Sequence, residues 1–114
     1  MEKITKKKLK KIEKRKLNLQ FKEWAEKVKQ RDKFCVICQN KEGINSHHIF
    51  PRQIKELRFE LDNGITLCQN HHRFSFKLSA HQNPVAFLIW LLDNKKEQYG
   101  RIVNLWEKIN LKDE

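Results

Sequence analysis

Apolar residues recur at helical spacing in the first third of the chain. Leu17, Phe21, Trp24 and Val28 return every three to four positions, which predicts a helix over 17–31 that buries this face. Residues 1–16 are rich in helix formers, but Ile4, Leu9 and Ile12 keep no regular spacing. They read as a basic arm, helical at least when bound. Between 34 and 68 the apolar runs shorten. Residues 34–37 and 47–50 are candidate strands, and Pro51 ends the second because it has no N–H for a ladder. Gly43 and Asn45 mark a loop, Asn63-Gly64 predicts a turn, and Ile65-Thr66-Leu67 predicts the return strand. A helix is expected from Asn70 to Ala80. Asn83-Pro84 marks another helix start, with Asn as cap and Pro at the first helical position. The run Val85, Phe87, Leu88, Trp90, Leu91 and Leu92 is expected to be mostly core. Gly100 is expected to interrupt or bend the chain beyond it, and Ile102, Val103, Leu105, Trp106 and Ile109 predict a last amphipathic helix.

A chain of 114 residues fits one domain, and so small a core benefits from a structural metal. The expected organisation is a basic arm over 1–16 and a single domain over 17–114. That domain has its metal-binding core at about 31–80 and C-terminal helices over 84–110.

Charge sharpens this picture. The formal net charge is +11. Residues 1–16 hold eight Lys and one Arg against Glu2 and Glu13, a net of +7, which leaves +4 for the other 98 residues. Such a balance favours polyanionic partners, chiefly nucleic acid. The plainer reading of a Lys run is a solvated tail, and the chemistry downstream tips the balance toward nucleic-acid contact. No apolar stretch follows the basic start, and the longest apolar run, 85–92, is too short to span a membrane. Two of the three cysteines form a CxxC, which suits metal binding in a reducing, cytoplasmic setting better than disulfides.

The decisive pattern is a surplus of metal ligands. Cys35 and Cys38 form one pair at two-residue spacing, and Cys68 and His71 form another. Thiolates and imidazoles bind tetrahedral zinc, and two such pairs make an ordinary structural set. His47, His48 and His72 are left over. Adjacent residues on a strand point to opposite faces, so His47 and His48 do not readily serve one ion. The pair suits a division of labour in which one binds metal and the other acts as a base near neutral pH.

The segment from about Arg31 to Phe76 resembles the HNH nuclease family. The matching residues are Cys35-x2-Cys38, His47-His48-Ile49, Leu61-Asp62-Asn63-Gly64-Ile65-Thr66-Leu67-Cys68 and His72. This chain has His71 where members often carry a second Cys, which leaves zinc ligation chemically sound. The resemblance implies a small α+β domain with a ββα-metal core, a structural zinc, and helices on either side. It implies hydrolysis of DNA phosphodiester bonds with one divalent ion, usually magnesium, with manganese or nickel as alternatives. His48 is then the general base, His47 and His72 hold the ion, and Asn63 orients the loop carrying His48. Arg52, Arg58, Arg73 and Lys77 flank the site as candidate phosphate contacts; each alone reads at least as well as a solvated surface charge, and Arg73 is the best placed.

Leu57-Arg58-Phe59, and Asn83-Pro84 with the aromatic helices after it, also look like phage-borne members. Other phage or mobile-element proteins are therefore candidate partners of a monomer or homodimer. The competing class is a non-catalytic, zinc-stabilised nucleic-acid-binding module, which has no need of the extra histidines. A toxin or effector nuclease is a third reading, unsupported by any secretion or receptor segment.

Overall fold

The computed structural model describes residues 3–111. Met1 and Glu2 of the basic arm, and residues 112–114 of the expected domain, lie outside the described residues. Helix α1 spans Lys6–Asp32. The Thr5 side chain accepts a hydrogen bond from the Lys8 N–H at 3.2 Å, and Lys33, at φ 69°, ends the helix in the left-handed region. The helix therefore begins eleven residues before the apolar period does. Lysine has high intrinsic helix propensity, so the first turns need no buried face. Only Trp24 and Val28 of α1 are fully buried.

Strands β1 (Asn45–His48) and β2 (Gly64–Leu67) pair antiparallel, with Asn45 opposite Leu67 and His48 opposite Gly64. All of β2 is buried. Helix α1 crosses this sheet and is stitched to it. Ser46 Oγ donates to the Ala25 carbonyl at 2.7 Å, and Asp32 accepts from the Thr66 N–H at 2.9 Å. The Trp24 indole N–H donates to the Glu60 carbonyl at 2.8 Å.

Asn63-Gly64 is not the turn that its sequence predicts. Asn63 ends a 3₁₀ turn (Leu61–Asn63), and Gly64 opens β2 in extended backbone. A Cβ at Gly64 would stand 2.4 Å from Val28 Cγ2 and 2.6 Å from Trp24 Cζ2. Glycine is needed here for the approach of α1, not for a turn. Nor do residues 34–37 form a strand. The Cys35 N–H bonds to the Asn40 carbonyl, and the Gln39 N–H bonds to the Cys35 carbonyl with Gln39 at φ 66°. This closes the CxxC into a turn.

The helix expected to Ala80 stops at Phe74. Asn70–Phe74 is a single π turn, closed by the Ser75 N–H on the Asn70 carbonyl at 2.8 Å. Ser75 Oγ then takes the Leu78 N–H, a local bond that competes with helix. The chain folds back, and the Ala80 and His81 N–H groups bond to the His71 and His72 carbonyls.

Helix α2 (Pro84–Asn94) starts as its sequence predicts, with the Asn83 side chain capping the Ala86 N–H. Helix α3 (Lys96–Leu111) runs straight through Gly100, and the break falls at Lys95 instead. Of the apolar run in α2, only Phe87 and Leu91 are buried; Val85, Leu88 and Leu92 are exposed, because one face of the helix packs on the body. Helix α3 grips the 3₁₀ turn through Arg101, paired with Asp62 at 3.0 and 3.1 Å, and through Gln98, which donates to the Asp62 and Gly64 carbonyls. The result is a small α+β fold whose ββα segment is clamped between α1 and the C-terminal helices. No helix among the described residues is long and apolar enough to cross a membrane.

Candidate active site

Two clusters of side chains able to ligate a metal sit at the two-stranded sheet and on the turns and loop beside it. The first gathers Cys35, Cys38, Cys68 and His71. Cys38 Sγ lies 3.7 Å from Cys68 Sγ, and His71 Nδ1 lies 3.7 Å from Cys35 Sγ and 3.3 Å from Cys68 Sγ. Tetrahedral zinc with bonds near 2.3 Å to sulfur spaces its ligands at roughly 3.5–3.8 Å. The cluster is compatible with a structural zinc. Burial pushes the Cys38 thiol up to about 11, with Cys68 and Cys35 adding to the rise. Burial also lifts Cys35, but the backbone N–H groups of Cys68, Cys38 and Ile37 bring it below the usual thiol value. Three thiolates repel one another unless a cation joins them.

The second cluster gathers His47, His72 and His81, each offering one ring nitrogen within 4.8 Å of the others. His47 comes from β1, His72 from the π turn, and His81 from the folded-back loop. His72 Nε2 and His81 Nε2 are 3.0 Å apart. The other ring nitrogen of His72, Nδ1, is buried with no hydrogen-bond partner among the described residues. Burial first, then the neighbouring His72 and His81, hold His47 down to about 3. Burial and His81 hold His72 down to about 4. Both rings are therefore neutral at physiological pH, which is the form that binds metal. The donor set fits a borderline divalent cation.

His81 is a candidate ligand that the sequence motifs do not select. It is the fifth histidine of the chain. A two-histidine ion site lacks a third protein ligand, and that shortage is the one signal in the sequence that points to it. His71 and His72 separate cleanly: His71 faces the cysteines and His72 faces His47.

His48 points to the opposite face of β1 from His47. Its ring stacks on Trp24, with centroids 3.9 Å apart and planes 9° from parallel, and Phe21 meets its edge at 5.8 Å. Its Nε2 lies 3.0 Å from the Arg58 carbonyl. A carbonyl only accepts, so Nε2 carries the proton and Nδ1 carries the lone pair. Nδ1 has no partner among the described residues. Burial lowers the ring below its ordinary value, which keeps that lone pair free at neutral pH. Asn63 is fully buried. Its Oδ1 accepts from the Phe50 N–H at 2.7 Å, its Nδ2 donates to the Phe50 carbonyl at 3.1 Å, and its own carbonyl takes the Ile49 N–H.

The three-histidine cluster and His48 open onto one cavity of about 640 Å³, also lined by Arg52 and Arg73 and floored by Phe87 and Leu91. Arg58 does not line it; its guanidinium lies over Phe21 at 5.6 Å and Phe59 at 5.2 Å. Arg52 also stands over Phe21, at 5.5 Å. Lys77 is exposed and does not line the cavity.

Residues 35–75 match the HNH endonuclease family. No curated protein and no solved structure matches the chain. The HNH segment holds the whole Cys3His cluster, both strands, His47, His48, Asn63 and His72. His81, α1 and the C-terminal helices lie outside it. The match of this segment to the HNH endonuclease family suggests nuclease activity.

Proposed function

We propose that the protein is a metal-dependent HNH endonuclease that hydrolyses DNA phosphodiester bonds. The observation that carries this reading is the convergence of His47, His72 and His81 in the cavity that His48 also lines. A structural module stabilised by Cys35, Cys38, Cys68 and His71 has no need of that second set.

In this reading His47, His72 and His81 hold one divalent ion; the all-imidazole donor set favours a borderline ion such as nickel over magnesium, the ion that the family resemblance implies, with manganese between them. When bound by these three histidines, such an ion would supply Lewis-acid stabilisation of the negative charge that develops as the phosphodiester breaks. His48 takes a proton from water at Nδ1, while its Nε2–H stays on the Arg58 carbonyl and fixes the ring. Trp24, stacked flat on the imidazole, prevents it from turning away. Asn63 ties down Phe50 and Ile49, the residues that come after His48. Arg52 and Arg73, at the cavity wall, take the flanking phosphates, with Arg58 and Lys77 further out.

The test is cleavage of supercoiled plasmid with magnesium, manganese or nickel by wild type and by His48→Ala. The expected result is cutting by wild type and a loss of about 10²-fold or more in the variant, with its fold and DNA binding retained. Equal cutting by His48→Ala removes His48 as the base. Binding without cutting by wild type, with every ion, leaves the non-catalytic module.

A further inference from the structure

The first three turns of α1 present a problem of charge. Residues 6–16 are exposed apart from half-buried Ile12. Lys6, Lys10 and Lys14 succeed one another at four-residue spacing, as do Lys7, Lys11 and Arg15. Like charges at that spacing repel. Lys6, Lys7 and Lys8 also crowd the positive end of the helix dipole, with no acidic residue in the first turn. Beyond its Thr5 cap this half of α1 has little packing, and Glu13 is its one acidic residue against eight cations over 6–16; a polyanion supplies both deficits at once.

The charge also has a direction. The stripe that seats α1 on the body runs Val28, Trp24, Phe21, Leu17, in steps of four and three. Val28 and Trp24 are buried, and Phe21 and Leu17 half-buried, so the body falls away toward Leu17. Continued at the same rhythm, the stripe reads Lys14, Lys10, Lys7. The face that is apolar against protein becomes cationic where protein ends. At its inner end stand Arg52 and Arg58, both over Phe21, whose ring touches His48.

We infer that the Lys7, Lys10 and Lys14 face of α1 is a second DNA-contact surface, which holds duplex DNA on one side of the bond at His48. This rests on the proposed nuclease reading for its active end. Fourteen residues from Lys7 to Phe21 extend about 21 Å. That length corresponds to about six base pairs. A straight, rigid row of cations suits the rigid backbone of a duplex better than a flexible single strand.

Two triple variants of equal charge decide it. Lys7→Gln, Lys10→Gln, Lys14→Gln removes the proposed face. Lys8→Gln, Arg15→Gln, Lys16→Gln removes three charges from the far side of the same helix. Affinity for a 30-base-pair duplex is read by fluorescence anisotropy across a salt series, with no divalent ion added. The first triple is expected to weaken binding at least tenfold and to lower the slope of log K against log salt by about 2.7. The second is expected to change that slope by less than one. Equal losses in both triples, or none in either, overturn the surface. So does equal affinity of wild type for a single strand of the same length. If wild type binds the duplex through this face but cuts no DNA, the nuclease reading falls and the surface stands.

Discussion

Asn63 and Phe50 hold each other by two hydrogen bonds, Phe50 N–H to Asn63 Oδ1 at 2.7 Å and Asn63 Nδ2–H to the Phe50 carbonyl at 3.1 Å. A side-chain amide thus substitutes for a strand partner just after β1 ends. It fixes the exit from His48 without contacting His48 itself. Asn63→Ala leaves the half-buried Phe50 N–H and carbonyl unpaired, at up to about 1–3 kcal/mol each. The variant should lose about 2–5 kcal/mol in urea denaturation. Asn63→Asp keeps the acceptor but sets a second carboxylate oxygen against the Phe50 carbonyl in a fully buried site, so it should cost at least as much. An Asn63→Ala protein as stable as wild type would show that these bonds add nothing.

The Cys3His cluster carries a second prediction. Cys35 is fully buried and belongs to the main core cluster. Zinc binding free energy in small domains is folding free energy, on the order of 10 kcal/mol. That is comparable to the whole stability of a domain of this size. Cys35→Ser should therefore lose zinc and most of its cooperative thermal transition. Metal analysis that still finds one zinc per chain in this variant would rule out the site.

Much of this arrangement is legible in the sequence because ligand spacing survives without knowledge of the fold. Two pairs at two-residue spacing define a zinc turn whichever strands surround them, and the structure brings Cys35, Cys38, Cys68 and His71 together. Asn83-Pro84 reads correctly for the same reason: an N-cap is a local device. The departures come from tertiary context and from local side-chain caps. Gly64 looks like a turn residue until Val28 and Trp24 are placed 2.4 and 2.6 Å from its missing Cβ. The sequence after Asn70 predicts a longer helix, but Ser75 and Ser79 each cap a nearby N–H and turn the chain back. That reversal is also what delivers His81, nine residues from His72 in sequence and 3.0 Å away in space. No local pattern announces such a contact.

His81 gives the third prediction. It is exposed and sits on a loop, so His81→Ala should leave the thermal midpoint nearly unchanged. As one of three protein ligands, its loss should weaken binding of manganese at least tenfold by isothermal titration. Cleavage should then recover partly as the manganese concentration rises. His48→Ala should behave in the opposite way, with ion binding retained and no recovery at any concentration. Unaltered manganese affinity in His81→Ala would remove it from the ion site.

The last prediction concerns acid. Burial holds His47 near 3 and His72 near 4, both below the ordinary histidine value of 6.5. The unfolded chain takes up two protons as pH falls below about 6.5, whereas the folded chain resists uptake until about 4 and then 3. More protons bound in the unfolded state means that stability rises with pH across this window. The contribution is complete above about 6.5 and is lost progressively from there down toward 3. With zinc retained and no second divalent ion added, the urea midpoint should be flat from pH 8 to 7 and fall steadily from 6.5 to 4.5. The double variant His47→Asn, His72→Asn is less stable at pH 7.5 but should show a much shallower acid slope. Added manganese should stabilise wild type most at neutral pH, because it binds only the neutral rings. A wild-type midpoint that stays level down to pH 4.5 contradicts the burial of these two imidazoles as the source of the effect.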